Sequence, residues 1–247
     1  MRRWRLIGFG LGAYALGLIV TAPATLIDTG LRQASEGRIR LAEARGTLWS
    51  GTGQIEMRDV KRRTGIARNV VWRVLPAYFL RGKLRYEVAL DHAVKRFPAT
   101  ISLSRIEVAD ADINLPAAVL GLGVPKLAGL ELAGDVLLHV ARLSLGRGAI
   151  EGNGTLQWRG AGSALAPVSP LGDYELRFKG DGSVVRASLR TLQGPLRLDG
   201  EGSWTSGRNP VFLATARIPP QYQQQLAPLL RLIAVERSDG SFTLQLK

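Results

Sequence analysis

The sequence predicts a mainly β protein: an N-terminal transmembrane helix, then a largely antiparallel, curved or groove-like β domain with a few short helices. Three observations carry this. Beyond residue 35, apolar and polar residues alternate in run after run of the chain, as they do in strands with one buried face. Clusters of glycine, aspartate, serine and proline separate those runs at short intervals, as antiparallel hairpins require. The chain also opens with arginines followed by an uncharged apolar run, the pattern of a membrane anchor.

The opening reads "MRRWRLIGFGLGAYALGLIVTA". Residues 1–5 hold Arg2, Arg3, Trp4 and Arg5, and no charge appears from Leu6 to Ala22. At ~1.5 Å per residue, a helix over 6–22 is roughly 25 Å long, the lower end of what crosses a bilayer. Basic residues stay on the cytoplasmic side. Residues 1–5 are therefore expected in the cytoplasm and 23–247 outside it, which in a Gram-negative cell is the periplasm. A cleaved signal peptide is the competing account, since "APA" at 22–24 resembles a cleavage site. A buried soluble helix fits poorly, because arginines and Pro23 bracket the run.

From 24 to 35, Ile27, Leu31 and Ala34 recur at helical spacing, so a short helix is expected just past the anchor. Strands follow. In "GKLRYEVAL" (82–90), Leu84, Tyr86, Val88 and Leu90 oppose Lys83, Arg85 and Glu87. "DYELRFKG" sets Tyr174, Leu176 and Phe178 against Glu175, Arg177 and Lys179, and "SVVRASLR" sets Val185, Ala187 and Leu189 against Arg186, Ser188 and Arg190. "GDG" at 180–182 makes these two a hairpin. "DVLLHVARLSL" (135–145) alternates as well, with Leu137, His139, Ala141 and Leu143 assigned to one face. "LQGPLRLDGEGSW" (192–204) reads as turn, strand, turn, and "FTLQLK" as a closing strand. Short helices are expected at 116–121 and 226–235, and a loop at 121–129. The stretch "GAGSALAPVSP" (160–170) is the best internal boundary, dividing the domain into two halves.

Composition narrows the chemistry. There is no cysteine, which excludes disulfides, iron–sulfur clusters, thiolate zinc sites and cysteine nucleophiles. There are two histidines, His92 and His139, too few for a multi-histidine metal centre. His139 lies within an alternating strand and reads as a satisfied, at least half-buried side chain. Asp110 and Asp112 share a strand face or cap the helix near Pro116. "GLGVPKLAG" lacks the strand–glycine–helix context of a nucleotide site. No cofactor, metal or catalytic residue is therefore expected. The net charge is +13, and the densest basic segment holds Arg58, Lys61, Arg62, Arg63 and Arg68. It reads as a solvated strand edge, where basic residues discourage edge pairing, or as a contact for lipid headgroups or an acidic partner. It has no interleaved aromatics to stack on bases, so nucleic acid is not expected as a partner.

One further stretch, "GTLWSGTG" (46–53), sets Leu48 and Trp49 among Gly46, Gly51 and Gly53. Glycines permit positive φ and close approach of backbone, so a packed strand-to-strand corner is expected, with ligand stacking as the alternative. This stretch is the second of several ordered motifs. Before it comes the flanked anchor ending in "TAPATLI". After it come "VVWRVLPAYFLRGKLRYEV", with Trp72, Pro76, Gly82 and Leu84, and "GNGTLQWRGAG", with Trp158. "PLGDYELRFKG", with Leu171, Gly172 and Tyr174, and "LQGPLRLDGEGSW" complete the series. Together these resemble the type II secretion system protein N family along nearly the whole chain. The resemblance implies a non-enzymatic accessory component at the inner membrane, supporting export of folded periplasmic proteins through contacts with other components of that system. It also implies a fold akin to the groove-like β domains of AsmA-type membrane proteins. With such a fold goes an alternative role, a membrane-anchored module that binds or handles lipid.

Overall fold

The computed structural model describes residues 10–14, 17–58, 65–91, 95–146, 148–205 and 211–246. The chain divides into two compact units, Met1–Arg96 and Phe97–Lys247. Strands dominate both, and the strand pairings are antiparallel.

In the first unit, helix α1 (Thr25–Ala34) precedes four strands: β1 (Ile39–Gly46), β2 (Ser50–Arg58), β3 (Gly65–Leu75) and β4 (Leu84–Leu90). They pair in sequence order. Alternation puts Leu41, Val70, Trp72, Val74 and Tyr86 inside. The outer edge of β1 would present unpaired amides, and α1 covers it. Asp28 Oδ1 accepts the Leu41 N–H at 2.8 Å and Ser35 Oγ accepts the Ile39 N–H at 2.9 Å. Covering this part of the edge discourages pairing with another chain. Residues 10–14 and 17–20 are helical. Among the described residues no helix is long and apolar enough to cross a membrane. Residues 1–9, 15 and 16, which include part of the expected anchor, lie outside the described residues, as do His92, Lys61, Arg62 and Arg63.

The second unit is a meander, β5 (Phe97–Ile101), β6 (Arg105–Pro116), β7 (Leu132–Gly146), β8 (Ile150–Ser163), β9 (Gly172–Gly182), β10 (Val184–Gln193), β11 (Arg197–Thr205) and β12 (Val211–Arg217). After β12 come helix α3 (Gln223–Arg231), β13 (Val235–Glu236) and β14 (Phe242–Leu246), with β14 lying between β12 and β13. Helix α2 (Ala118–Gly123) and a 3-10 helix (Pro125–Leu130) join β6 to β7. The register joins residues of one parity into an apolar face. Leu138, Leu156, Leu176 and Leu189 are successive partners across β7 to β10. The alternate residues form a charged face. At one end α3 folds onto the apolar face and buries Leu226, Ala227, Leu229 and Leu230 against Leu196 and Phe242.

Several expectations change. The segment 121–129 is helical rather than a loop, since Pro125 opens a 3-10 turn at N1 or N2, where its missing N–H costs nothing. "LDGEGSW" continues β11 instead of turning, because Gly200 and Gly202 pair with β10 and β12. In β7 the alternation does not run unbroken: the register against β8 shifts between Val140 and Arg142, as at a bulge. Val136, Leu138 and Val140 therefore hold the apolar face, followed by Leu143 and Leu145, while His139 is exposed on the other face beside Asp112. Asp110 is the left-handed residue of β6, with φ +48°. The stretch 160–170 ends β8 and leads into β9 within the second unit.

Candidate functional site

The residues singled out in the sequence gather at two places, one in each unit. The first is the β1–β2 corner. Gly46 has φ +97°, which turns the chain into Thr47–Trp49. A Cβ on Gly51 would lie 2.3 Å from Arg45 O and 2.5 Å from the Trp72 ring. The large ring over bare backbone is therefore Trp72, not Trp49. Its Nε1–H donates to Thr47 O at 3.1 Å, which fixes the ring across the corner. Trp49 packs edge-on against Phe79 at 5.4 Å, and its Nε1–H donates to Ile19 O at 2.9 Å. Leu48 N–H donates to Ala22 O at 2.8 Å. Pro76 opens the 3-10 helix that carries Phe79, and Gly82 ends it at φ +65°. Both indole N–H groups are used within the protein.

The second place is an apolar cavity of about 400 Å³ inside the second unit. Leu156, Trp158, Tyr174, Leu176 and Leu189 form its sheet wall, and Leu120, Leu127, Leu229 and Leu230 its helical wall. Only apolar atoms face the space. The polar atoms of its lining residues are turned away and partnered. Trp158 Nε1–H donates to Ala133 O at 3.0 Å, and Ser163 Oγ–H donates to Leu130 O. Tyr174 Oη lies 2.9 Å from Leu196 O and 3.1 Å from Leu171 O and shares its proton between them. Burial, reinforced by the neighbouring Asp173 charge, raises the Tyr174 phenol well above its ordinary value, so it stays a donor. Leu171 also lines the cavity. Gly172 admits the β9 start, since a Cβ there would meet Gln193 O at 2.6 Å.

Leu120, Leu229 and Leu230 lie in the short helices expected from the sequence, but the 3-10 segment that carries Leu127 was not expected. Its signal, the leucines of "VLGLGVPKLAGLEL", sits between glycines and prolines that read as loop.

The charged face centres on Glu175, whose side chain is 8% exposed. It accepts from Arg177 Nε at 2.7 Å, Arg190 Nε at 2.8 Å and Gln157 Nε2 at 3.4 Å. Burial alone would raise this carboxyl, but the Gln157 hydrogen bond and the two arginines outweigh it and hold it below its ordinary value. A hollow of about 710 Å³ takes in Arg177, Lys179, Arg186 and Glu201, with Arg186 paired to Asp181 at 2.9 Å. Of the basic segment, Arg58 ends β2, and Arg68 on β3 is paired with Asp91 at 3.1 Å. Among the described residues no cluster of three or more histidine, cysteine, aspartate or glutamate side chains could hold a metal ion.

Residues 37–245 match the family described as type II secretion system (T2SS), protein N. The chain belongs to that family. As a protein N family member it is a type II secretion component of the cell envelope, and the family is a secretion accessory rather than a known enzyme family. The match covers β1 to β13 and nearly all of β14, and so spans the residues of both the corner and the cavity. No curated protein and no solved structure matches the chain.

Proposed function

We propose that this protein is a non-enzymatic component of the type II secretion machine, retained at the periplasmic face of the Gram-negative inner membrane by residues 6–22. It supports export of folded periplasmic proteins by contact with other components of the machine. The observation that carries the retained anchor is the collar between the leader and the first corner. Trp49 Nε1–H bonds Ile19 O, Leu48 N–H bonds Ala22 O, and Ala24 N–H bonds Gly46 O at 3.3 Å. Ala24 is 2% exposed. Cleavage after Ala22 or Ala24 would strip Trp49 of its acceptor and open this collar. These hydrogen bonds tie the leader to the corner, which supports a leader that stays.

Two measurements test this. The intact mass of the protein extracted from the membrane fraction should include residues 1–22; a mature chain beginning at Pro23 or Thr25 would refute retention. Deletion of the gene should lower secretion of exoproteins, and the tagged chain should copurify with other secretion components after crosslinking in the native envelope. Normal secretion together with no copurification would refute the role.

A further inference from the structure

We infer that the cavity of the second unit is a binding site for one hydrocarbon chain of a lipid or fatty acid. The inference is independent of the secretion role and rests on what the walls can and cannot recognise. A peptide segment brings an N–H and a C=O with every residue, and each needs a partner once buried. A sugar or headgroup needs more. The cavity offers none: its exposed wall is apolar, and Ser163, Trp158 and Tyr174 have their polar atoms committed to Leu130, Ala133, Leu171 and Leu196. Only an occupant without polar groups loses nothing by entering. At the ~30 Å³ that a water-sized unit occupies in a liquid, a volume of about 400 Å³ admits about a dozen methylene groups, the length of an acyl chain.

The sheet also gives such a chain a way out. From the cavity pair Leu176 and Leu189, the apolar face continues along the same strands to the Phe178–Ala187 pair and then to Val185 beside Trp204. Trp204 is 48% exposed. Apolar surface thus runs unbroken from the enclosed volume to solvent, so a chain longer than the cavity stays covered while its polar head remains in water.

The test uses the full chain in phosphatidylcholine vesicles with a photoreactive sixteen-carbon fatty acid as probe, and maps the labelled peptides. Label is expected on β8, β9 and α3, and unlabelled palmitate should displace it in proportion to its concentration. Leu176→Trp and Leu189→Trp, which fill the cavity, should each lower that label at least tenfold. Arg186→Ala, on the charged face, should leave it unchanged. Label that persists in both cavity-filling variants, or that falls instead on the exposed Leu80 and Leu103 tips, overturns the inference. Should the tryptophan variants fail to fold by circular dichroism, displacement from the wild-type chain decides: label on the cavity peptides that excess palmitate does not remove overturns it equally. An empty cavity in a strain that still depends on the protein for secretion would overturn this site and leave the secretion role standing.

Discussion

The two units solve one problem in opposite ways. Each has a sheet with an apolar face that must be taken out of water. In the first, an indole lies directly on a glycine: Trp72 fills the corner above Gly51 and hydrogen-bonds Thr47. In the second, leucines from the sheet and from α2 and α3 face one another across about 400 Å³. Covering a sheet and filling the space above it are separate achievements. The first unit is closed by contact at the distance of bare backbone, the second by a roof that leaves room beneath it.

If that contrast is right, truncation should hurt most where nothing is spare. Trp72→Ala removes a side chain that is 5% exposed and leaves Thr47 O without its donor, at a cost of about 4 kcal/mol. The urea midpoint, with limited proteolysis to locate the loosened region, reads this. A loss under about 1 kcal/mol would show that the corner is loosely packed.

The converse substitution probes the same contact. Gly51→Ala introduces a Cβ 2.3 Å from Arg45 O and 2.5 Å from the Trp72 ring. Backbone cannot step aside, so overpacking should cost about 3 kcal/mol. Pairing Gly51→Ala with Trp72→Phe should recover part of that loss if the ring is what obstructs, and none if Arg45 O alone does.

How far this contrast could be read beforehand differs between the units. Period-two alternation located β4, β9 and β10, and "GDG" announced the β9–β10 hairpin, whose turn is Gly182–Ser183, because both signals are local. "GTLWSG" announced a corner for the same reason, but not which tryptophan would cover it. Trp72 reaches Gly51 only through the β2–β3 register, a property of pairing rather than of the stretch itself. In β7, alternation groups Leu143 with His139, but the register shift after Val140 puts it on the face of Val136, Leu138 and Val140, because one such shift reverses every later side chain. The cavity was least legible. Its helical wall, Leu120, Leu127, Leu229 and Leu230, comes from segments far apart in the chain, and no periodicity within one segment encodes what another leaves unfilled.

Across the cavity the same kind of truncation should cost less. Leu176 is half-buried and already borders open volume. Leu176→Ala forgoes fewer contacts than a deletion in close-packed core, and about 2 kcal/mol is expected, the low end for a leucine. Added palmitate should raise the wild-type midpoint and raise that of Leu176→Ala at least as much, since the enlarged space still accepts a chain. A cost matching that of Trp72→Ala would erase the difference between the units.

The smallest effect concerns the charged face, and pH isolates it. The Glu175 carboxyl lies below its ordinary value of 4.5 in the folded chain and returns to that value on unfolding. The unfolded state therefore takes up the proton first as pH falls, and the stabilisation is present in full above that ordinary value and lost through the lowered folded one. Its partners Arg177 and Arg190 are 58% and 52% exposed, so solvent screens the pairs and the contribution is about 1 kcal/mol. Glu175→Gln should lower stability by that amount at neutral pH, and its unfolding midpoint should converge on the wild-type one at the acid end, where both side chains are uncharged. A gap that persists unchanged into acid would mean that Glu175 acts through packing and its Gln157 hydrogen bond, and that charge contributes nothing to the hold of this face.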